Sequence, residues 1–135
     1  MTDQPEKIAQ QWLDACCETL ARYDHEAHMN LISRSVRVFG LPGFEVIGYD
    51  DWHAQSEYEF GEKLIQSASY EGLELLNHDP EHIRFVTTET IAAVDGTVDS
   101  HPIEILLTRE QDGQWRVTEE RLLNRDKTGA GASGP

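Results

Sequence analysis

From residue 70 onward the chain is almost wholly patterned as strand. Four runs, Tyr70 to Leu76, Ile83 to Val94, Val98 to Arg109 and Trp115 to Leu123, are rich in β-branched and large apolar residues. Short polar connectors at Asn77 to Glu81, Asp95-Gly96 and Gln111 to Gln114 separate them, so the four runs are expected to pair antiparallel in chain order. Asp95-Gly96 is the strongest turn signal and suits a type I′ hairpin, in which both central residues take positive φ. A meander of four long strands has two broad faces, and the rest of the chain must cover at least one of them.

The first half supplies helices. Asp3 and Glu6 stand three apart like a capping pair and Pro5 suits a first turn, while Ile8, Trp12, Cys16, Leu20 and Tyr23 recur at helical spacing. Asp24 is placed to cap a second, shorter helix through HEAHMNLI, with His28, Met29, Leu31 and Ile32 on one side. From Ser35 the period becomes two, Val36 and Val38 alternating with Arg37 and Phe39, until Gly40, Pro42 and Gly43 turn the chain. Phe44, Val46 and Ile47 make a brief return, Gly48 interrupts it, and Asp50 or Asp51 is expected to cap a third helix through Trp52, Tyr58 and Leu64. This order predicts an α+β fold with helices gathered on one face of a curled sheet. Ile103, Ile105 and Leu107 oppose Pro102, Glu104 and Leu106, so the strand is apolar on both faces, and the second face is expected to pack on another copy as a homodimer.

A chain of 135 residues and 15.3 kDa has room for one ordinary domain, expected over 1–125 with a flexible tail over 126–135. Eleven Lys and Arg against 25 Asp and Glu give a formal charge of -14, which repels phosphate backbones and anionic headgroups; nucleic acid and membrane are not expected partners. With no apolar span and no basic-then-apolar start, a cytoplasmic location is expected. Cys16 and Cys17 are neighbours and cannot form an ordinary long-range bridge with each other. They read as reduced core thiols; a reactive thiol is the sharper alternative, but no cation stands near in sequence to activate it.

The order of elements, together with YDHEAHMNLIS-x-x-VRVFG, VIGYDDW before a helix and a terminal DGQWRVTEERL, resembles the nuclear transport factor 2-like superfamily over about Ile8 to Asn124. Asp24, Gly48 and Gly113 followed by Trp115 and Val117 carry most of the resemblance. It implies a cone: a strongly curved, mostly antiparallel sheet with three helices packed on its concave side and an apolar pocket inside. On that reading Phe39, Phe44, Trp52 and Tyr58 supply wall and rim, and Cys16 and His28 reach the pocket from the first two helices; plain core packing is the alternative for each ring. Among enzymes of the superfamily, ketosteroid isomerase needs a carboxylate base where this chain has Gly40 and a tyrosine at or next to Cys16, while its acid position falls on Ile103-Glu104. One element of three survives, which disfavours steroid isomerisation.

Two carboxylates are candidate catalytic groups. Glu104 would have its proton affinity raised if it pointed into the cone, and period two places Thr118, Glu120, Leu122 and Asn124 on one face of the last strand, near it. Carboxyls sharing a low-dielectric space share a proton and divide into acid and base. The alternative puts one or both on the solvated or subunit-facing side. Glu89 shares a face with Phe85 and Ile91, whose direction the sequence leaves open, and is not placed in the site. Six histidines include His25 and His28 one turn apart and His78 four before His82, but nothing like H-E-x-x-H appears, so neither metal nor cofactor is expected. No phosphate-binding loop and no G-x-S-x-G occurs. The expected function is binding of a small apolar or amphipathic molecule, compatible with cofactor-independent acid/base chemistry of the isomerase, cyclase or dehydratase type; whether the chain is an enzyme stays open. The alternative is a non-catalytic dimeric interaction module.

Overall fold

Pro5 fits the first helical turn, where an amide N–H has no partner to lose, and α1 runs Pro5–Ala21 in the computed structural model, which describes residues 4–123. Its N-cap is Gln4, without a side-chain bond; Asp3, Asn124 and the expected tail lie outside the described residues. Asp24 caps α2 (His25–Met29) as expected, its carboxylate accepting from the Ala27 N–H at 3.1 Å. This helix is shorter than the sequence suggests. Leu31 leaves it because its carbonyl accepts from Trp12 Nε1 and from the Val117 N–H, both at 3.1 Å, and Ile32 opens β1 (Ile32–Phe39).

Past β1, Ile47 pairs back on Val38, so the turn through Gly40 to Gly43 folds the chain onto its own strand. At Gly40 φ is 92°, and a Cβ there would stand 2.4 Å from the Leu122 carbonyl oxygen, so only glycine fits. α3 (Tyr49–Gly61) has Gly48 as its N-cap, earlier than the expected aspartates. Asp51 still serves, reaching back from inside the first turn to the Gly48 N–H at 3.1 Å. The helix ends before Leu64, which lies in the link to β2.

The remaining strands are β2 (Ile65–Asp79), β3 (His82–Ala93), β4 (Val98–Arg109) and β5 (Trp115–Leu122), in one curved sheet of order β1-β5-β4-β3-β2. β2 to β5 pair antiparallel in chain order, and β1 lies parallel beside β5. The turn at Asp95-Gly96 is not type I′. Only Gly96 has positive φ, the Gly96 N–H bonds to the Ala93 carbonyl at 3.0 Å, and the Asp95 carboxylate accepts from the Thr97 N–H at 2.9 Å, a three-residue loop with its last residue left-handed.

Phe85, Ile103, Ile105, Leu107 and Val117 all point to one face and are fully buried against Ala9, Trp12 and Leu13 of α1. Each such side chain stabilises the fold by about 1.5–3 kcal/mol through removal from water. This layer sets the direction of everything else on the sheet, since residues of opposite parity must face outward. One irregularity interrupts it: between Leu106 and Leu107 the register with β5 shifts, so that Val117 faces Leu107 while Glu119 faces Leu106. Thr118 is the extra residue of that bulge.

Candidate active site at the acidic end of an internal cavity

Along the inner face, Phe85, Ile105 and Val117 give way to Glu89, His101 and Glu120, and there the space beneath the helices is a cavity of about 430 Å³. That volume suits a small organic molecule. Its apolar wall comes from Trp12 and Leu20 of α1, Trp52 and Phe60 of α3, and Ile91 and Leu122 of the sheet. α3 presents Trp52, Ser56 and Phe60 inward because they are spaced by one helical turn.

The polar end is built by strand register. Tyr70 lies opposite Glu89, and Glu89 opposite His101, so all three project from the same face of adjacent strands. Tyr70 Oη donates to Glu89 Oε2 at 2.9 Å. His101 Nε2 stands 3.5 Å from Glu89 Oε1 and Nδ1 stands 3.2 Å from Asp99 Oδ2. The first of these is too long and poorly aligned for a good hydrogen bond, and Nε2 is buried with no directed partner. Contact with Glu89 raises the imidazole above its ordinary value against the opposing effect of burial, and Asp99 adds to the rise.

Glu120 projects into the cavity from β5, opposite Ile105, and no hydrogen-bond donor meets its carboxyl among the described residues. Burial, with the Glu89 charge second, pushes it from 4.5 up to about 8. The two carboxyls are therefore in unequal settings: Glu89 has a phenol donor and an imidazole beside it, and Glu120, buried without a donor, keeps its proton. Burial also raises Tyr70 and Cys16 well above their ordinary values, so both stay neutral, the thiol beside Glu120 included. His28 accepts from Trp52 Nε1 at 3.1 Å through Nε2, which puts its own proton on Nδ1, 3.5 Å from Thr19 Oγ1. Burial, helped by His25, lowers it from 6.5 to about 4.

Of the residues expected from sequence, Cys16, His28, Trp52 and Glu120 line this cavity. The others do not. Glu104 faces outward, opposite in parity to Ile103 and Ile105, and its Oε2 accepts from Arg84 Nη1 at 2.7 Å. Thr118 is turned out by the bulge and bonds to Thr108 Oγ1 at 2.7 Å. Phe39, next to inward Val38, lies outside under the guanidinium groups of Arg37 and Arg121, 5.6 and 4.4 Å from its ring centroid. Phe44 and Tyr58 are 64% and 60% exposed, one on the turn and one on the outer side of α3. Asn124 lies outside the described residues.

Glu89, Tyr70 and His101 are the residues that sequence reasoning missed. The turn signal alone does not find them: a two-residue turn at Asp95-Gly96 would set Glu89 opposite Pro102, and only the three-residue loop centred on Asp95 brings Glu89 opposite His101. A second, wider depression of about 750 Å³ lies outside, between α2, the start of α3 and Arg116. Its Arg116 is already committed to Glu110, Asp112 and Asn30 at 2.8 to 3.1 Å, and its wall is more polar, so it is the weaker candidate. Among the described residues no three His, Cys, Asp or Glu side chains converge as a metal-binding group, and no helix is long and apolar enough to cross a membrane.

No family model matches the chain, and neither does any curated protein. Solved structures do. A nuclear-transport-factor-2-like protein of unknown function from Shewanella oneidensis superposes with a TM-score of 0.74 at 14% identity, covering 90% of this chain and all of that one. A protein of unknown function from Mycobacterium tuberculosis gives 0.70 at 19% identity, over 96% of this chain and 82% of that one. A Catenulispora acidiphila protein solved in complex with S-DNPA gives 0.67 at 21% identity, over 93% and 97%. With its mixed curved sheet and three helices on the concave side, the chain has the nuclear transport factor 2-like fold.

Proposed function

We propose that the chain binds a small amphipathic molecule in the cavity lined by Trp52, Phe60 and Glu120, and acts on it by acid/base chemistry, Glu120 as the proton donor and Glu89 as the acceptor. The observation that carries this reading is the inequality of the two carboxyls at the end of an apolar cavity: Glu89 accepts from Tyr70 at 2.9 Å, and Glu120 has no donor among the described residues. A proton moved between two such groups across a bound molecule is the step shared by isomerisation, cyclisation and dehydration. The chain's own side chains carry it, with Tyr70 placed to stabilise the base as its charge returns. The solved relative that holds S-DNPA supports small-molecule binding in this fold, not the identity of the ligand.

Native mass spectrometry of the purified protein, with thermal-shift screening of small amphipathic molecules, tests the reading. A bound molecule, or a ligand that raises the melting temperature of the wild type and not of Trp52→Arg, supports it; failure of every compound to bind, with an empty protein, contradicts it. The dimer is a separate part of the proposal. The outer face carries Val86, Pro102 and Leu106, half-buried among charged neighbours, and pairing of two such faces would cover them. Light scattering that shows a monomer at micromolar concentration overturns this part alone.

A further inference from the structure

The charge around the cavity is one-sided. Glu59, Glu89, Asp99 and Glu120 line it, and among the described lining residues there is no Lys or Arg. Of the two lining histidines, His28 has its Nε2 engaged by the Trp52 indole and is neutral, and His101 is already flanked by Glu89 and Asp99. Even with His101 protonated and Glu120 neutral, the lining stays net negative. A carboxylate or phosphate head would therefore meet carboxylates and no uncommitted cation. The Glu120 carboxyl, turned into the cavity from β5 without a donor, offers acceptor oxygens to whatever enters. Above it the walls are aromatic, Trp12, Trp52, Phe60 and Tyr70, and ring faces favour cations as well as apolar bodies.

Resting on the binding reading above, we infer that the ligand of this cavity is an amphipathic amine, an aromatic or alkyl body carrying a protonated nitrogen that docks between Glu89 and Glu120. An ammonium has three donors and no acceptor, the complement of two carboxyls of which only one already has a donor. The formal charge of -14 on the chain attracts such a cation from solution. Docking places a positive charge beside Glu120 and favours loss of the proton that this carboxyl would give to a reactive ligand; with an unreactive amine that proton leaves to solvent. One cation enters and at most one proton leaves. The titratable groups that share the cavity with Glu120 are Cys16, His28, Glu59, Tyr70, Glu89, Asp99 and His101, and of these only Glu89, Asp99 and Glu59 add negative charge.

Three probes that differ only in the head group decide the matter: 4-phenylbutylamine, 4-phenylbutanol and 4-phenylbutyrate, titrated calorimetrically at pH 7 in two buffers of different protonation enthalpy. The amine is expected to bind best, by roughly tenfold or more over the alcohol, with proton release into the buffer and no measurable binding of the acid. Glu120→Gln and Glu89→Gln should each weaken the amine by roughly tenfold, a larger loss than either causes for the alcohol. Alcohol or acid binding as tightly as the amine overturns the inference and leaves the cavity reading standing, and so does amine affinity unchanged in both variants, which marks non-specific attraction to an acidic surface. No binding by any of the three overturns both. The wild-type comparison needs no variant to fold.

Discussion

Tyr70 Oη donates to Glu89 Oε2 across the β2–β3 pairing at 2.9 Å, and Glu120, on the other side of β4, has no such donor among the described residues. On this difference, with the burial of Glu120, rests the proposed division of the carboxyls into acid and base. Replacing Tyr70 by Phe removes the donor and leaves the Glu89 carboxyl without its phenol partner. A hydrogen bond to a charged group is worth about 1.5–3 kcal/mol, so a stability loss of that size should accompany the change in chemical denaturation.

Glu120 makes the fold weaker as pH rises. Its folded value, about 8, lies above the 4.5 of the unfolded chain, so the folded state holds a proton that the unfolded state releases. Stability is full below pH 4.5 and is lost progressively up to about 8. Glu120→Gln should remove that slope and be more stable than the wild type at pH 8, by a few kcal/mol in urea unfolding. Glu104→Gln should do neither, since it breaks only a partly exposed pair with Arg84 worth about 1 kcal/mol or less.

His28 acts in the opposite direction. Held neutral in the fold at about 4 against 6.5 unfolded, it contributes stability that is full above pH 6.5 and is lost as pH falls toward 4. His28→Gln keeps an acceptor for Trp52 Nε1 and removes the titration. The variant is expected to lose less stability than the wild type between pH 7 and pH 5, read from urea midpoints at the two values.

Gly40 tests the turn at the cavity mouth. With φ at 92° and the Leu122 oxygen 2.4 Å from a built Cβ, Gly40→Ala must strain the backbone and push β5 away. A loss of about 1–3 kcal/mol is expected, seen as a melting temperature lower by several degrees. Gly40→Asp should be no milder, so a base cannot be restored at this position.

The architecture was legible because alternation survives single errors: Ile103, Ile105 and Leu107 identify the inner face whatever the ends of β4, and the short connectors leave the meander no other order. β1 escaped that logic, since its parallel partner β5 lies at the far end of the chain. The site was legible only in part, for three physical reasons. A bulge, which no periodicity announces, turned Thr118 away from the face of Glu120. Ring size suggests cavity positions that parity denies: Phe39 shares the side of Arg37, and Tyr58 lies on the opposite side of the helix wheel from Trp52, Ser56 and Phe60. The sequence leaves Glu104 open between an inward acid and an outward one; Arg84 on the neighbouring strand gives it a partner outside, and cross-strand partners depend on a register that the type I′ reading of the turn does not deliver.

The most direct test is a carbon-13 NMR titration of the glutamate carboxyls in the wild-type protein, with Glu120→Gln assigning the resonance. One carboxyl titrating near pH 8 and absent from the variant is the expected result. If every glutamate instead titrates as a free side chain, near 4.3, then Glu120 is not held protonated by burial in the cavity and the acid/base reading is wrong.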